Sequence, residues 1–168
     1  MAMRLARALV LLILLATGCR DDKGITGVFA PGASGLIVLT HVQAAGGQLH
    51  HETITVDSAS ARFEYVTCTS SVGQSACGDQ QRREGEVNPA TLGQLFGIAQ
   101  TPSFERLRET YDRDGDVVPP DGSWTQVVVT VAERTQTVRW AGGAELPQIL
   151  VRFNCWMETV RGSLIACA

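Results

Sequence analysis

The alternation of apolar and polar residues between positions 36 and 65 constrains the fold of this chain more than any other feature of its sequence. Residues 36–42 and 49–56 are rich in β-branched side chains, which is typical of strands, and a glycine-containing segment separates them. Glycine readily adopts the positive φ angles that a tight turn requires. We therefore predict a β-hairpin with Ala45 and Gly46 at its tip.

This hairpin has a defined register. A tip at Ala45 and Gly46 places His41 opposite His50 on the neighbouring strand. A second turn at residues 58–59 adds a third strand and places Ile54 opposite Phe63. Because successive side chains of a strand point to opposite faces, one apolar face is expected to contain Ile37, Leu39, Ile54, Val56, Phe63 and Tyr65.

Cap residues and apolar residues at helical spacing predict two helices. Asn88 is suited to cap the first helix and Pro89 to occupy its first position, where a missing N–H costs nothing. Pro102 ends this helix. The second helix begins at Pro147, and Gly162 is a natural end for it.

A third hairpin lies between the two helices. Residues 124–131 and 135–140 alternate around a turn at residues 133–134, which places Val127 opposite Trp140. The order of strands and helices predicts an α+β fold, in which an antiparallel sheet of hairpins carries two helices packed on one face. Residues 35–168 make up this single domain.

The start of the chain has the composition of an export signal. Arg4 and Arg7 precede an apolar run over residues 8–16, which is too short to cross a hydrocarbon core of about 30 Å. The run closes with Ala16-Thr17-Gly18-Cys19, which resembles the lipobox of bacterial lipoproteins. The resemblance implies that residues 1–18 are a signal peptide and that Cys19 carries lipid.

A lipidated Cys19 would attach the chain to a membrane. Residues 19–34 are polar and glycine-rich, so we predict that the cysteine is followed by a flexible tether. Arg20 stands where, by the same resemblance, an aspartate would retain the protein at the inner membrane. The predicted location is the cell envelope, at the outer membrane where the organism has one.

The remaining four cysteines indicate disulfide bonds. Four cysteines in an exported domain indicate two disulfide bonds, which can be connected in three ways. Closeness in sequence favours Cys68 with Cys77 and Cys155 with Cys167. The gaps of 8 and 11 residues within these pairs do not fit the close cysteine pairs of zinc sites.

The net charge excludes one class of partner. Removal of residues 1–18, which include Arg4 and Arg7, changes the net charge from −3 to −5. Nucleic-acid-binding domains carry a basic patch or stripe, which this composition does not provide. Nucleic acid is therefore not a predicted partner.

Two groups of residues are candidates for metal binding. In the predicted register His41, His50 and Glu52 share one face, as a two-histidine, one-carboxylate site requires. The alternative is a pair of partly exposed histidines near the end of a hairpin. This alternative is favoured, and we predict no cofactor.

The second candidate is acidic. Asp112, Asp114 and Asp116 repeat at the spacing by which a loop wraps calcium. The glycine and glutamate of the helix–loop–helix calcium template are replaced by Val117 and Ser123, however. A solvated turn is the favoured interpretation.

Catalysis finds no support among the sequence motifs. No Gly-x-Ser-x-Gly nucleophile motif is present, and the domain cysteines are better used as bridges. We therefore predict that the protein is not an enzyme. Recognition residues are expected in the Cys68–Cys77 and Asp112–Gly122 loops, because loops carry recognition while strands carry packing.

The mature domain also resembles a known family. The residues that carry the resemblance are Ser103-Phe104-Glu105-Arg106-Leu107, Val127–Val131, Thr137-Val138 and Leu146-Pro147, within residues 35–160. In this order they resemble the emfourins, small bacterial inhibitors of thermolysin-like metalloproteases. The resemblance implies inhibition of a secreted metalloprotease and assigns no inhibitory residue.

The sequence thus favours a non-catalytic, lipid-anchored envelope protein that binds another envelope or secreted protein. Inhibition of a secreted metalloprotease is one alternative. Binding of a metal or another ligand by an envelope lipoprotein is the other.

Overall fold

The computed structural model describes residues 34–74, 77–112 and 122–162, together with residue 167. Within these ranges, no helix is both long and apolar enough to cross a membrane. The strands lie side by side in the order β4-β3-β2-β1-β6-β7-β5. The elements are β1 (Gly35–Ala45), β2 (Gln48–Asp57), β3 (Arg62–Ser71), β4 (Gln81–Glu86), α1 (Pro89–Ala99), α2 (Pro102–Glu105), β5 (Thr110–Tyr111), β6 (Ser123–Val131), β7 (Arg134–Ala141) and α3 (Gln148–Arg161).

The α+β class and the mostly antiparallel sheet are confirmed, with two additions. β5 pairs with β7 in parallel, whereas the other strand pairs are antiparallel. A third helix, α2, begins after Thr101, whose hydroxyl accepts the Phe104 N–H. The sequence predicts two full helices and a segment over residues 103–111 that is partly helical, and α2 lies at the start of that segment. A helix of four residues is too short for apolar periodicity to define its bounds.

The register predicted for β1 and β2 is wrong by two residues. His41 lies opposite Glu52, and His50 lies opposite Gln43. The reason is the turn, which is centred on Gly46 and Gly47, at φ angles of 58° and 77°. Moving a turn by one residue moves the register by two, and a shift of two leaves every side chain on its predicted face.

The other two predicted registers are wrong for a related reason. Ile54 lies opposite Tyr65, and Val127 lies opposite Val138. The turns before β3 and β7 place Ala61 and Ala132 at positive φ angles of 52° and 54°. Alanine seldom adopts this conformation, so sequence preferences did not indicate these turn positions.

One apolar core joins the strands to the helices. Its best buried members include Ile37 and Val127 from the sheet, Phe96 from α1 and Phe153 from α3, all 0% exposed. The Phe153 ring centroid lies 5.1 Å from that of Phe104 in α2. All three helices therefore share one core with the central strands.

Asp57 closes the β2–β3 turn and makes stability depend on pH. Its carboxylate accepts the Ser60 hydroxyl at 2.8 Å and the Ala59 N–H at 2.9 Å. These hydrogen bonds lower the pKa of Asp57 below its ordinary value. A lowered pKa in the folded state stabilises the fold above the unfolded-state pKa and ceases to do so as pH falls through the folded-state pKa.

We expect Asp57→Ala to lose about 1 kcal/mol of unfolding free energy at pH 7, because two hydrogen bonds at the surface disappear. The difference from the wild type should begin to shrink as pH falls below the unfolded-state pKa of about 3.9, and it should disappear as pH falls through the lowered folded-state pKa. Urea titrations of both proteins at pH 7 and pH 3 measure this. Equal differences at the two pH values would contradict the assignment.

Candidate functional site

Residues from both loops that were predicted to carry recognition lie at one end of the sheet. The Val72 N–H donates to the Gly47 carbonyl at 3.1 Å, and the Ala44 N–H donates to the Gly122 carbonyl at 3.1 Å. Val72 and Gly122 therefore flank the β1–β2 turn, while residues 75–76 and 113–121 lie outside the described part of the chain. We call residues 44–48, 71–74 and Gly122 the loop end.

The Cys68–Cys77 loop is held at several points. The structure brings the two cysteines together with a Cα–Cα distance of 5.7 Å, in agreement with the predicted pairing. The Gly78 N–H donates to the Thr69 carbonyl at 2.9 Å. Val72 is 60% exposed at the tip, so an apolar side chain is presented on a constrained backbone.

The second predicted bridge is also present and lies elsewhere. Cys155 and Cys167 have a Cα–Cα distance of 5.8 Å. Cys155 belongs to α3, and the Thr159 hydroxyl of the same helix lies 3.5 Å from the Cys167 sulfur. These bonds attach Cys167 to α3, and none of them involves a residue of the loop end.

Trp124 lies on the face of β6 opposite to that of the core residues Val127 and Val129. Its strand partner is Val42, which is only 4% exposed. The Arg139 guanidinium lies 4.5 Å from the Trp124 ring centroid, a cation–π contact. Arg139 thus holds the Trp124 ring on the sheet face opposite to the core.

Each of the three histidines contacts a hydroxyl group. His41 Nδ1 lies 2.9 Å from Thr125 Oγ1, and His51 Nε2 lies 3.0 Å from Ser70 Oγ. His50 Nδ1 lies 3.3 Å from the hydroxyl oxygen of Thr69. These contacts occupy one ring nitrogen of each histidine.

Glu52 is engaged by an arginine that sequence reasoning missed. Both carboxylate oxygens lie 2.7 Å from Arg161 Nη2, and the Tyr65 hydroxyl lies 3.3 Å from the same nitrogen. Arg83 donates to the Arg161 carbonyl and so fixes the end of α3 against β4. The one sequence signal for this contact was Glu52 itself, a carboxylate on the same predicted strand face as the apolar residues Ile54 and Val56.

Burial and charge act in opposite directions on Arg161. Partial burial lowers its pKa, but attraction to Glu52, with smaller contributions from Tyr65 and Glu158, raises the pKa above the ordinary value. The guanidinium therefore stays charged and keeps Glu52 as its partner. The ion pair fastens the last turn of α3 to β2.

The structure does not assemble the metal site suggested for His41, His50 and Glu52. In the described parts of the chain, no three His, Cys, Asp or Glu side chains are grouped so that they could hold a metal ion. A cavity of about 310 Å³ lies beside His50 and Glu52. Two carboxylates line it, Glu52 and Asp79, and Glu52 is already paired with Arg161.

Of the proposed calcium loop, only Asp112 is described, and its side chain is exposed. It borders a cavity of about 500 Å³ together with Tyr111 and Glu145. Asp114 and Asp116 lie outside the described residues. Cys19, the predicted lipid site, also lies outside them.

The described chain is a disulfide-bonded α+β domain in which Val72 of the Cys68–Cys77 loop and Gly122 flank the β1–β2 turn at one end of a mostly antiparallel sheet. The chain matches no known protein family and no curated protein sequence.

Proposed function

We propose that this chain is a lipid-anchored cell-envelope protein that binds another envelope or secreted protein, without catalysis, through its loop end. The observation that carries the proposal is that Val72 and Gly122 are both hydrogen-bonded to the β1–β2 turn, through the Val72–Gly47 and Ala44–Gly122 bonds. A surface already held in place loses little conformational entropy on binding.

The position of the loop end relative to the predicted tether supports this role. The described chain starts at Ser34, whose carbonyl accepts the Ala132 N–H at 3.2 Å at the opposite end of the sheet. β1 has eleven residues between Gly35 and Ala45, a length of about 33 Å at strand rise. A lipid on Cys19 would thus be joined, through the predicted tether, to the end of the sheet opposite the loop end.

We also infer two features of the fold. Successive strands are joined as hairpins, and the helices lie on one face of the sheet. The core contains strand residues of a single face, such as Ile37, Ile54 and Val129, with helix residues such as Leu95 and Phe153. The opposite face carries many threonines and no described helix. The loop end then projects beyond both layers.

Inhibition of a secreted metalloprotease is the second candidate function. A disulfide-closed loop with an exposed apolar tip, as at Val72, suits insertion into a concave partner site. Metal or ligand binding has weaker support, because Glu52 and the histidines already have partners.

Loop exchange tests the proposal. Residues 71–76 and residues 113–121 are each replaced by a glycine-serine linker of equal length, with the cysteines kept. Capture of envelope proteins, identified by mass spectrometry, should be lost, while the melting temperature should change by no more than about 3 °C. Replacing exposed Ala59 of the β2–β3 turn with glycine, at the opposite end of the sheet, is the control and should retain capture.

Three outcomes would contradict the proposal. Both loop variants could retain every partner of the wild type. Alternatively, the purified protein could hydrolyse a protease, esterase or glycosidase substrate and lose that activity in His41→Ala or His50→Ala. Inhibition of thermolysin that survives both loop exchanges would place the inhibitory surface elsewhere.

The anchor has its own test. We expect the amino-terminal peptide of the mature protein to begin at Cys19 and to carry fatty acyl groups, because two or three chains are needed for durable membrane attachment. Mass spectrometry of the native peptide measures this, and Cys19→Ala should release the protein from the membrane fraction. An unmodified Cys19 or a different first residue would contradict the assignment.

A further inference from the structure

One edge of the sheet has a stretch with no strand partner among the described residues. β7 pairs with β6 along its length, but β5 covers only Arg139 and Trp140 on the other side. The Arg139 N–H donates to the Glu109 carbonyl at 2.8 Å, so it points to this edge. Because backbone groups of every second residue point the same way, those of Thr137 and Thr135 also point to it.

A cavity of about 540 Å³ lies beside this stretch. Its apolar lining comes from Ala99 at the end of α1, Leu107, and Val129 and Val131 of β6. Gln136 of β7 also lines it and donates from its side chain to the Phe104 carbonyl at 2.8 Å. The cavity thus lies on the helix-facing side of β7.

The two edges of the sheet differ in charge only along their middle stretches, because β7 has Arg134 and Arg139 near its ends and Arg134 pairs with Glu105 beside the cavity. β4, at the far edge, reads Gln-Arg-Arg-Glu-Gly-Glu, and its Arg82 pairs with Glu64 at 2.8 Å and with Glu84 at 3.1 Å. Charged side chains of this kind discourage the addition of another strand. Residues 135–138 of β7 are Thr-Gln-Thr-Val, which are uncharged and include good strand formers.

We propose that residues 135–137 of β7 bind an extended peptide segment of a partner protein as an added strand. Backbone groups of Thr135 and Thr137 pair with the peptide, and one aliphatic side chain of the peptide enters the 540 Å³ cavity. The same edge already accepts β5 at Arg139 and Trp140, and Glu109, which bonds Arg139, limits the added strand to residues 135–137. The site lies near Ala132, at the opposite end of the sheet from the loop end.

A phage-displayed library of random heptapeptides, selected on the mature full chain, is the probe. Thr137→Pro removes the N–H that points to the edge and leaves the β6 pairing intact, because that N–H does not face β6. Thr137→Val keeps the N–H and serves as the matched control. Selected peptides should carry aliphatic residues at alternate positions, bind Thr137→Pro about tenfold more weakly, and bind Thr137→Val within about twofold of the wild type.

A second pair of variants tests the cavity without changing β7. Gln100→Trp fills the cavity from an exposed position at the end of α1 and should weaken the same peptides. Ala90→Trp, exposed at the start of α1, should not. The proposal is overturned if no peptide is enriched, or if the selected peptides bind Thr137→Pro and Gln100→Trp as they bind the wild type. It is also overturned if the wild type sediments as a dimer that Thr137→Pro dissociates, since a second copy then occupies the edge.

Discussion

Replacement of Phe153 with alanine should lower the free energy of unfolding by about 3–5 kcal/mol. The ring is 0% exposed and lies against Phe104, so its loss removes apolar burial and leaves a cavity where α3 meets α2. Neighbouring side chains come from different elements and cannot all move to fill the space. Urea denaturation followed by circular dichroism measures the change.

Val151 provides the control on the same helix. Its side chain is 51% exposed, so Val151→Ala should change the unfolding free energy by no more than about 0.5 kcal/mol. A loss below about 1 kcal/mol for Phe153→Ala would mean that α3 is not packed into the core as described. Similar losses in the two variants would lead to the same conclusion.

Local chemistry was sufficient to predict the helices and the faces of the strands. Asn88 caps α1 by accepting the Ala90 N–H at 2.8 Å, and Pro89 takes the first helical position. Gly162 ends α3 with a φ angle of 101°. These signals act within a few residues, which is why the sequence alone reveals them.

The same local signals were not sufficient to predict the strand register. The positive φ angles of Ala61 and Ala132 are imposed by the strands that the turns connect, not by a preference of alanine. Between β1 and β2, two adjacent glycines offered two tip positions, and the structure uses Gly46 with Gly47. The two possible tip positions differ by one residue along the chain, and the strand registers that they produce therefore differ by two residues.

The candidate site could be predicted only in its parts. The cysteine spacing and the glycines indicated the Cys68–Cys77 loop, but the contact between Ala44 and Gly122 joins positions far apart in the chain. The pairing of Glu52 with Arg161 depends in the same way on where α3 crosses the sheet. Such contacts follow from the completed fold, and no local pattern encodes them.

The two disulfides allow stability and recognition to be separated. Replacing both Cys68 and Cys77 with serine should lower the unfolding free energy by about 2–3 kcal/mol, because the reduced unfolded chain gains the entropy of an open loop. The Cys155→Ser, Cys167→Ser variant should lose a similar amount, since its loop is only slightly longer, with a separation of 12 residues against 9. Thermal and urea denaturation compare the two variants.

The two double cysteine variants should differ in partner capture, although their losses of unfolding free energy are similar. If the loop end recognises a partner, freeing the Cys68–Cys77 loop adds an ordering cost to binding and should weaken partner capture about tenfold or more. The Cys155–Cys167 bridge ties Cys167 to α3 rather than to the loop end, so its removal should leave capture within about twofold of the wild type at a temperature where both variants are folded. Equal losses of capture would show that binding follows overall stability, and intact capture without the Cys68–Cys77 bridge would remove this loop from the recognition surface.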